Sequence, residues 1–84
     1  MKQLKIYYAN YCPFCRQALG LLGEKDFEFE AIDVMANPRV LDQIKRETGH
    51  PTIPIILIDG ELIGGYTELK ALDRSGELDK KMRS

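Results

Sequence analysis

The sequence predicts an α/β domain with a four-stranded mixed sheet flanked by helices, in the order β-α-β-α-β-β-α. Stretches of apolar residues with strand spacing alternate with stretches that have helical spacing, and an Asp-Gly turn joins the last two strands. A strand–helix–strand unit gives a parallel pair with a right-handed crossover, and the Asp-Gly hairpin adds an antiparallel pair. The 84 residues are enough for one domain, over residues 1–84.

The chain begins with a strand and a helix. Residues 2–8 mix apolar and β-favouring side chains, which is typical of a strand. A helix then begins at Pro13, which is tolerated there because its missing N–H has no intrahelical acceptor. The apolar positions of this helix are Phe14, Ala18, Leu19, Leu21 and Leu22. Gly20 and Gly23 weaken the helix, and they are acceptable if a neighbouring element packs closely there.

A second strand and helix follow. Asp26 suits a left-handed position after the first helix, and residues 27–34 alternate apolar and polar side chains as a strand does. Asn37 and Pro38 then provide an N-cap and a first-turn proline. Gly49 ends this helix, in which Val40, Leu41, Ile44 and Thr48 follow one another at helical spacing.

A hairpin and two helical stretches complete the chain. They are strands over 55–58 and 61–64, a helix over 66–72 and a short helical turn over 78–82. Asp59-Gly60 is a type I′ turn signal between the two strands. Leu69 and Leu72 are the inward residues of the helix, and residues 73–76 are expected to break it.

Charge and hydropathy exclude several functional classes. Lys and Arg number 12 and Asp and Glu number 13, so no basic surplus indicates a nucleic-acid or anionic membrane partner. No apolar run approaches the roughly 20 residues of a membrane span, and the N-terminal residues carry no signal-peptide core. We therefore expect a cytoplasmic protein with no nucleic-acid or membrane partner, and we expect a monomer.

The chemistry is expected at Cys12-Pro13-Phe14-Cys15, which holds both cysteines of the chain. In a reducing cytosol such a pair is more often redox-active or metal-binding than structural. Unpaired N–H groups and the helix dipole stabilise a thiolate at a helix N-terminus, so Cys12 is the expected nucleophile. Cys15 lies one turn along and is expected to be more buried. It would attack a mixed disulfide on Cys12 and close a Cys12–Cys15 disulfide.

Three other interpretations of the cysteines stay open. A zinc site needs about four ligands, whereas the chain offers two cysteines and His50. A structural disulfide that closes so small a loop stabilises little. Cys12 could also be one ligand of an iron–sulfur cluster shared between two chains with external thiols.

Three motifs resemble those of glutaredoxins, members of the thioredoxin-fold superfamily. Cys12-Pro13-Phe14-Cys15 is similar to the family's Cys-Pro-Tyr-Cys, Thr52-Ile53-Pro54 to its Thr-Val-Pro with a cis proline, and Gly64-Gly65-Tyr66-Thr67-Glu68 to its Gly-Gly-Cys-Asp-Asp. The resemblance covers essentially the whole chain. It implies a thioredoxin-like fold and a glutathione-dependent oxidoreductase that reduces protein disulfides and glutathione mixed disulfides. Glutathione would be a co-substrate, with no tightly bound cofactor or metal.

The resemblance also implies a glutathione site. Its residues are Tyr11, Phe14, Arg46, Thr52, Ile53, Pro54, Gly65, Tyr66 and Thr67. A cis bond before Pro54 would turn the backbone of Ile53 toward Cys12, where it could pair with the cysteine part of glutathione. The amides of Tyr66 and Thr67 would bind the γ-glutamyl carboxylate at a helix N-terminus.

Two positions depart from the family pattern. Many relatives carry Lys where this chain has Ala9, and the loss weakens the thiolate or glutathione binding unless Arg16, Lys45 or Arg46 substitutes. Thr67-Glu68 replaces the family's Asp-Asp, so the acidic contact to the glutathione amine is weakened or moved.

Some of the implied roles have simpler readings. Arg46 stands where relatives bind the glycine carboxylate of glutathione, but it also fits a solvated helix charge. Gly64-Gly65 also fits a plain turn, and His50 fits an exposed loop residue that could contribute to the substrate groove.

Two alternative functions remain. The first is an electron donor recharged by thioredoxin reductase, which Ala9 and Thr67-Glu68 favour and the Gly-Gly pattern disfavours. The second is a glutaredoxin that binds an iron–sulfur cluster. Glutaredoxins specialised for that work usually have a single active-site cysteine followed by Gly-Phe-Ser, so Pro13 and Cys15 argue against it.

Overall fold

The computed structural model describes residues 2–83, and this part of the chain forms four strands and four helices. The strands are β1 (Leu4–Tyr8), β2 (Phe29–Asp33), β3 (Ile55–Ile58) and β4 (Glu61–Gly64). The helices are α1 (Pro13–Glu24), α2 (Pro38–Thr48), α3 (Tyr66–Ser75) and α4 (Glu77–Arg83). None of the helices in this part of the chain has the length and apolar character needed to cross a membrane.

The strands form one mixed sheet in the order β2-β1-β3-β4. β1 pairs with β2 in parallel, with Leu4 opposite Phe29, and with β3 in antiparallel fashion. β3 and β4 form the predicted hairpin, in which Asp59 and Gly60 have φ of 49° and 83°. The predicted four-stranded mixed sheet is therefore confirmed. Because β1 is a central strand, the residues that follow its carboxyl end lie near the middle of that end of the sheet.

Helices cover both faces of the sheet. On one face, β1 and β3 pack against α1, α3 and α4 in a cluster made of Leu4, Ile6, Ala18, Leu22, Phe27, Ile56, Ile58, Leu69, Leu78 and Met82. On the other face, Ile44 of α2 packs on Ile55 and Leu57. All four residues of β3 are buried because alternate side chains enter opposite clusters. This explains why β3 is an uninterrupted apolar run.

The prediction for the end of α3 was wrong. Residues 73–75 continue the helix, and Gly76 ends it with φ of 82°. Of the predicted breakers, only glycine adopts the left-handed conformation readily, whereas Asp, Arg and Ser are tolerated in a last turn. α4 follows directly as an additional helix, longer than the predicted turn, because Leu78 and Met82 are fully buried in the core.

Several smaller expectations also need correction. β1 begins at Leu4 rather than at residue 2, and β2 spans Phe29–Asp33 rather than 27–34. Asn37 occupies the N-cap of α2, but its side chain makes no capping hydrogen bond. Its amide Nδ2 donates instead to the carbonyl of Asp33, 3.2 Å away. The Asn37 side chain therefore bonds to the residue at the end of β2 instead of capping α2.

Lys25 joins the ends of three helices. The residue caps α1, and its Nζ lies 2.9 Å from Oδ1 of Asp73 in α3 and 3.1 Å from Oδ2 of Asp79 in α4. The hydrogen bonds that Lys25 donates to Asp73 and, to a smaller extent, to Asp79 raise the pKa of Lys25. The ion pairs therefore tie the continuation of α3 and the added α4 to the helix that carries the cysteines.

Gly20 and Gly23 are predicted to be sites where alanine stabilises the fold. Outside the local helix backbone, a Cβ atom at either position would meet no atom within 4 Å, so the close packing that would make these glycines acceptable is absent. Each Gly→Ala change should raise the free energy of unfolding by roughly 1 kcal/mol, because alanine restricts the unfolded chain and favours the helix. Urea unfolding of both single variants measures this. A loss of stability in either variant would show that another part of the protein packs against that glycine.

Candidate functional site

Cys12 lies at the N-cap of α1, directly after the short connection that leaves β1. Its sulfur accepts a hydrogen bond from the backbone N–H of Cys15 at 3.3 Å. Its carbonyl accepts from the N–H of Arg16 at 3.1 Å, which starts the helix. The sulfur is partly exposed. It therefore sits where unpaired amides and the helix dipole stabilise a negative charge.

Cys15 is fully buried on the inner face of α1. Burial raises the pKa of its thiol from an ordinary value of 9.0 to about 12. A backbone hydrogen bond with Ala9 lowers the pKa, but the hydrogen bond to the Cys12 sulfur and the charge of Cys12 raise it again. Both cysteines are free thiols. At neutral pH Cys15 is therefore protonated and shielded, whereas Cys12 reaches solvent.

The buried thiol of Cys15 should make the fold less stable in alkali. Between about pH 9 and about pH 12 the unfolded chain releases this proton while the folded chain keeps it. The stability gained from the protonated thiol is complete below the unfolded pKa and is lost as the pH rises toward the folded pKa. Wild type should therefore lose up to about 1.4 kcal/mol per pH unit relative to Cys15→Ala in this window.

Urea unfolding of wild type and Cys15→Ala, both kept reduced, measures this difference from neutral pH upward. Comparing the two proteins cancels the titration of the lysines and tyrosines that they share. Parallel stability curves for the two proteins above pH 9 would contradict the placement of a protonated thiol in the core.

The loop before β3 brings a backbone carbonyl to Cys12. The Ile53–Pro54 peptide bond is cis, and Pro54 is buried. The Cys12 sulfur lies 3.9 Å from the carbonyl oxygen of Ile53. The cis bond expected from the resemblance is present, and the backbone of Ile53 faces the sulfur as expected.

A groove of about 340 Å³ lies beside this loop. It is lined by Phe14, His50, Pro51, Thr52, Ile53, Pro54, Gly65, Tyr66, Thr67 and Glu68. These include most of the residues predicted to bind glutathione. A larger depression of about 670 Å³ lies at the start of β1 and β2, the end of the sheet opposite the cysteines. The smaller groove is the candidate site because Ile53, which lines it, has its carbonyl oxygen 3.9 Å from the Cys12 sulfur.

Two of the predicted binding residues lie outside the groove lining. Tyr11 precedes Cys12 and is 69% exposed. Arg46 is exposed on α2, where it shares a separate depression with Asp42 and Lys45. The predicted role of Arg46 at the glycine carboxylate stays a prediction.

An aromatic pair forms one wall of the groove. The rings of Phe14 and Tyr66 are stacked, with centroids 6.3 Å apart and an angle of 27° between the planes. Phe14 is 58% exposed, so its ring is available to the groove, where the resemblance implies a binding residue. Lys70 Nζ lies 5.9 Å from the centroid of the Tyr66 ring. The wall therefore combines apolar surface with a nearby positive charge.

The start of α3 forms the far side of the groove. Gly64 has φ of 123°, and a Cβ atom there would lie 2.6 Å from Oε1 of Glu68, so no other residue fits without rearrangement. The same Oε1 accepts from the N–H of Gly65 at 2.7 Å. Because α3 begins at Tyr66, the amides of Tyr66 and Thr67 have no acceptor within the helix. They form a site suited to an anion.

Three residues that the sequence left uncertain are now placed. His50 is a partly exposed loop residue and lines the groove, as the sequence had left open. Glu68 also lines the groove, with its carboxylate engaged by Gly65. Ala9, where many glutaredoxins have Lys, is fully buried. The position of His50 beside the Thr-Ile-Pro motif was the sequence signal for its placement.

A metal site was one of the alternatives for the cysteines. Among residues 2–83, no group of three or more His, Cys, Asp or Glu side chains is arranged to hold a metal ion.

Comparison with known proteins gives a consistent result. A family model described as Glutaredoxin matches residues 4–63. Glutaredoxin 3 of Escherichia coli (strain K12) is 34% identical over 83 residues, which cover 99% of this chain and 100% of that protein. A solution structure of glutaredoxin from Brucella melitensis is 35% identical with a TM-score of 0.84, covering 98% of this chain and 89% of that one. A buckwheat glutaredoxin–glutathione complex shares the fold, with a TM-score of 0.90 at 21% identity, covering 98% and 77% of the two chains.

Proposed function

The chain belongs to the glutaredoxin family of thiol oxidoreductases, and we propose that it is a dithiol glutaredoxin that uses glutathione to reduce glutathione mixed disulfides and protein disulfides. The observation that carries the proposal is the contrast between the two sulfurs. Cys12 is partly exposed at a helix start, and Cys15 is fully buried one turn later. This contrast supports Cys12 as the attacking thiolate and Cys15 as the thiol that reacts in a later step.

The first step is attack by the Cys12 thiolate on the glutathione sulfur of a mixed disulfide. A bond forms between Cys12 and that sulfur while the original S–S bond breaks, and the substrate leaves as a thiolate that takes up a proton from water. The N–H of Cys15, 3.3 Å from the Cys12 sulfur, supports the attacking charge. This step needs no proton from Cys15.

The second step has two routes. A second glutathione thiolate attacks the glutathione sulfur bound to Cys12, which releases glutathione disulfide and regenerates the Cys12 thiolate. Alternatively, Cys15 loses its proton and attacks the Cys12 sulfur, which closes the Cys12–Cys15 disulfide and releases the bound thiol. Because burial, the largest cause of the raised pKa of Cys15, persists in this intermediate, we expect glutathione to resolve its own mixed disulfide faster than Cys15 does.

Cys15 matters most when the substrate is a protein disulfide. Two causes of its raised pKa, the hydrogen bond to Cys12 and the charge of Cys12, are lost once Cys12 is in a disulfide. The pKa of Cys15 then falls, which favours intramolecular attack. A protein thiol held on Cys12 is thus released by the neighbouring cysteine.

The groove positions glutathione against Cys12. The backbone of Ile53, whose carbonyl is 3.9 Å from the sulfur, pairs with the cysteine part of glutathione. The amides at the start of α3 bind a carboxylate, and the Phe14–Tyr66 wall covers the disulfide. The related buckwheat protein forms a complex with glutathione, which supports this ligand.

The proposal is tested with a glutathione mixed disulfide of a small thiol. We expect turnover when glutathione and glutathione reductase supply electrons, and little turnover when thioredoxin reductase supplies them. The reverse result would favour the second candidate, an electron donor recharged by thioredoxin reductase, which the buried Ala9 supports because it removes a cationic contact to glutathione.

We also propose that the protein acts as a cytoplasmic monomer without an iron–sulfur cluster. The cysteine arrangement supports this, since Cys15 offers Cys12 an intramolecular partner. Purification without oxygen should yield a colourless monomer. A coloured dimer that loses its colour when glutathione is removed would instead favour a cluster bridged between two chains.

A further inference from the structure

The ring of His50 is held by the loop that faces Cys12. His50 lies between Gly49, which ends α2, and the cis proline loop. Its Nδ1 is 2.7 Å from the carbonyl oxygen of Thr52. A carbonyl oxygen only accepts hydrogen bonds, so Nδ1 carries the proton. In the neutral ring, Nε2 is then the unprotonated nitrogen.

The backbone of His50 is anchored as well. Its N–H donates to the hydroxyl oxygen of Thr48 at 3.1 Å, and that hydroxyl donates to the carbonyl of Ile44 at 2.7 Å. Ile44 is buried in the cluster under α2. Hydrogen bonds therefore connect Ile44 in α2 to Thr48, Thr48 to His50, and His50 to Thr52.

The ring also reaches the opposite side of the groove. A Cβ atom placed on Gly65 would lie 3.7 Å from Cε1 of His50 and 3.5 Å from Oε1 of Glu68. His50 and Glu68 thus both lie close to Gly65, the N-cap of α3. His50 spans the space between the loop and this helix start.

Fixing the Thr52 carbonyl also fixes the next amide. The carbonyl of Thr52 and the N–H of Ile53 belong to one planar peptide unit, in which the two groups point in opposite directions when the bond is trans. The cis bond is the following one, Ile53–Pro54. The hydrogen bond from His50 therefore sets the direction of the N–H of Ile53, the residue whose own carbonyl oxygen lies 3.9 Å from the Cys12 sulfur.

We propose that His50 is a positioning residue that aims the Ile53 amide at the cysteine part of the bound thiol substrate. The inference rests on the proposed glutathione-dependent activity and adds a residue that sets substrate affinity. His50 acts through Thr52 and Ile53 and takes no part in electron transfer. Its loss should therefore weaken substrate binding more than the sulfur exchange step.

Kinetics of three variants test this role. His50→Ala and His50→Leu remove the donor, and His50→Asn keeps one, because the asparagine amide nitrogen occupies the same place along the side chain as Nδ1. We expect KM for a glutathione mixed disulfide to rise roughly 3- to 10-fold in the first two, with kcat changed less than about 2-fold. His50→Asn should recover most of the loss.

Controls separate positioning from general destabilisation. The thermal midpoint of each variant is measured, and nitrogen NMR of the wild-type imidazole in alkaline buffer should show Nδ1 as the protonated nitrogen. An unchanged KM in His50→Ala, an equal rise in His50→Asn and His50→Leu, or a proton on Nε2 would overturn the inference. If the wild-type chain itself does not turn over the mixed disulfide, the proposed function fails and this inference falls with it.

Discussion

Cys12→Ser is expected to reduce turnover of both glutathione mixed disulfides and protein disulfides to the rate of the uncatalysed reaction. A serine hydroxyl is not ionised at neutral pH and cannot form a disulfide, so no covalent intermediate can replace the one on Cys12. The fold should survive, because serine is a favoured N-cap residue and Cys12 occupies that position. Glutathione-coupled turnover and a thermal melt of the same sample measure both expectations.

The control for this variant is Gly20→Ala, which lies outside the groove and should retain turnover. Full activity in a folded Cys12→Ser protein would remove the basis for a thiol mechanism at this site. Loss of activity together with loss of the folded state would instead show that Cys12 is structurally required, which its partial exposure argues against.

Replacing Cys15 is expected to separate the two activities. Cys15→Ala should keep turnover of a small glutathione mixed disulfide within about 3-fold of wild type, because glutathione can resolve the intermediate without a second cysteine. Reduction of a protein disulfide should fall by roughly 100-fold or more, since the protein thiol on Cys12 loses its intramolecular attacker. Parallel assays with the two substrates measure the ratio.

Alanine and serine serve as matched substitutions at this position. The side chain of residue 15 is fully buried, so a serine hydroxyl costs stability unless it finds a partner, and the cost is about 1–3 kcal/mol. Both variants should show the same split between substrates, with serine the less stable protein. Equal loss of both activities in Cys15→Ala would contradict the division of roles.

The sequence predicted the sheet well because its signals are local. Alternation in β2, the continuous apolar run of β3 and the Asp59-Gly60 turn each lie within one short segment. Their combination leaves few ways to order four strands, and the observed order β2-β1-β3-β4 contains the parallel and antiparallel pairs that were expected. The cysteine pair could likewise be placed at a helix start from Pro13 alone.

The errors in the helices came from contacts between distant residues. The extension of α3 through Asp73 is supported by Lys25, which is far away in the sequence. The space around Gly20 and Gly23 depends on which helices lie beside α1, and no short segment encodes that.

The candidate site was partly predictable for the same reason. The motif around Cys12 and the Thr52-Ile53-Pro54 motif can be recognised in the sequence. The resemblance predicted that the two motifs lie next to each other in the fold. The hydrogen bonds of His50 to Thr52 and of Glu68 to Gly65 are short-range, but their direction toward the groove depends on the tertiary fold. Arg46 lacked such a constraint, and the structure places it outside the groove lining.

The division of the two cysteines by burial is tested most directly by alkylation of the native, reduced protein. Brief treatment with iodoacetamide near neutral pH, followed by mass spectrometry of the peptides, reports which sulfur has reacted. We expect modification of Cys12 with little or none at Cys15, and modification of both once the chain is unfolded. Equal or faster modification of Cys15 in the native protein would contradict its assignment as the buried, protonated thiol.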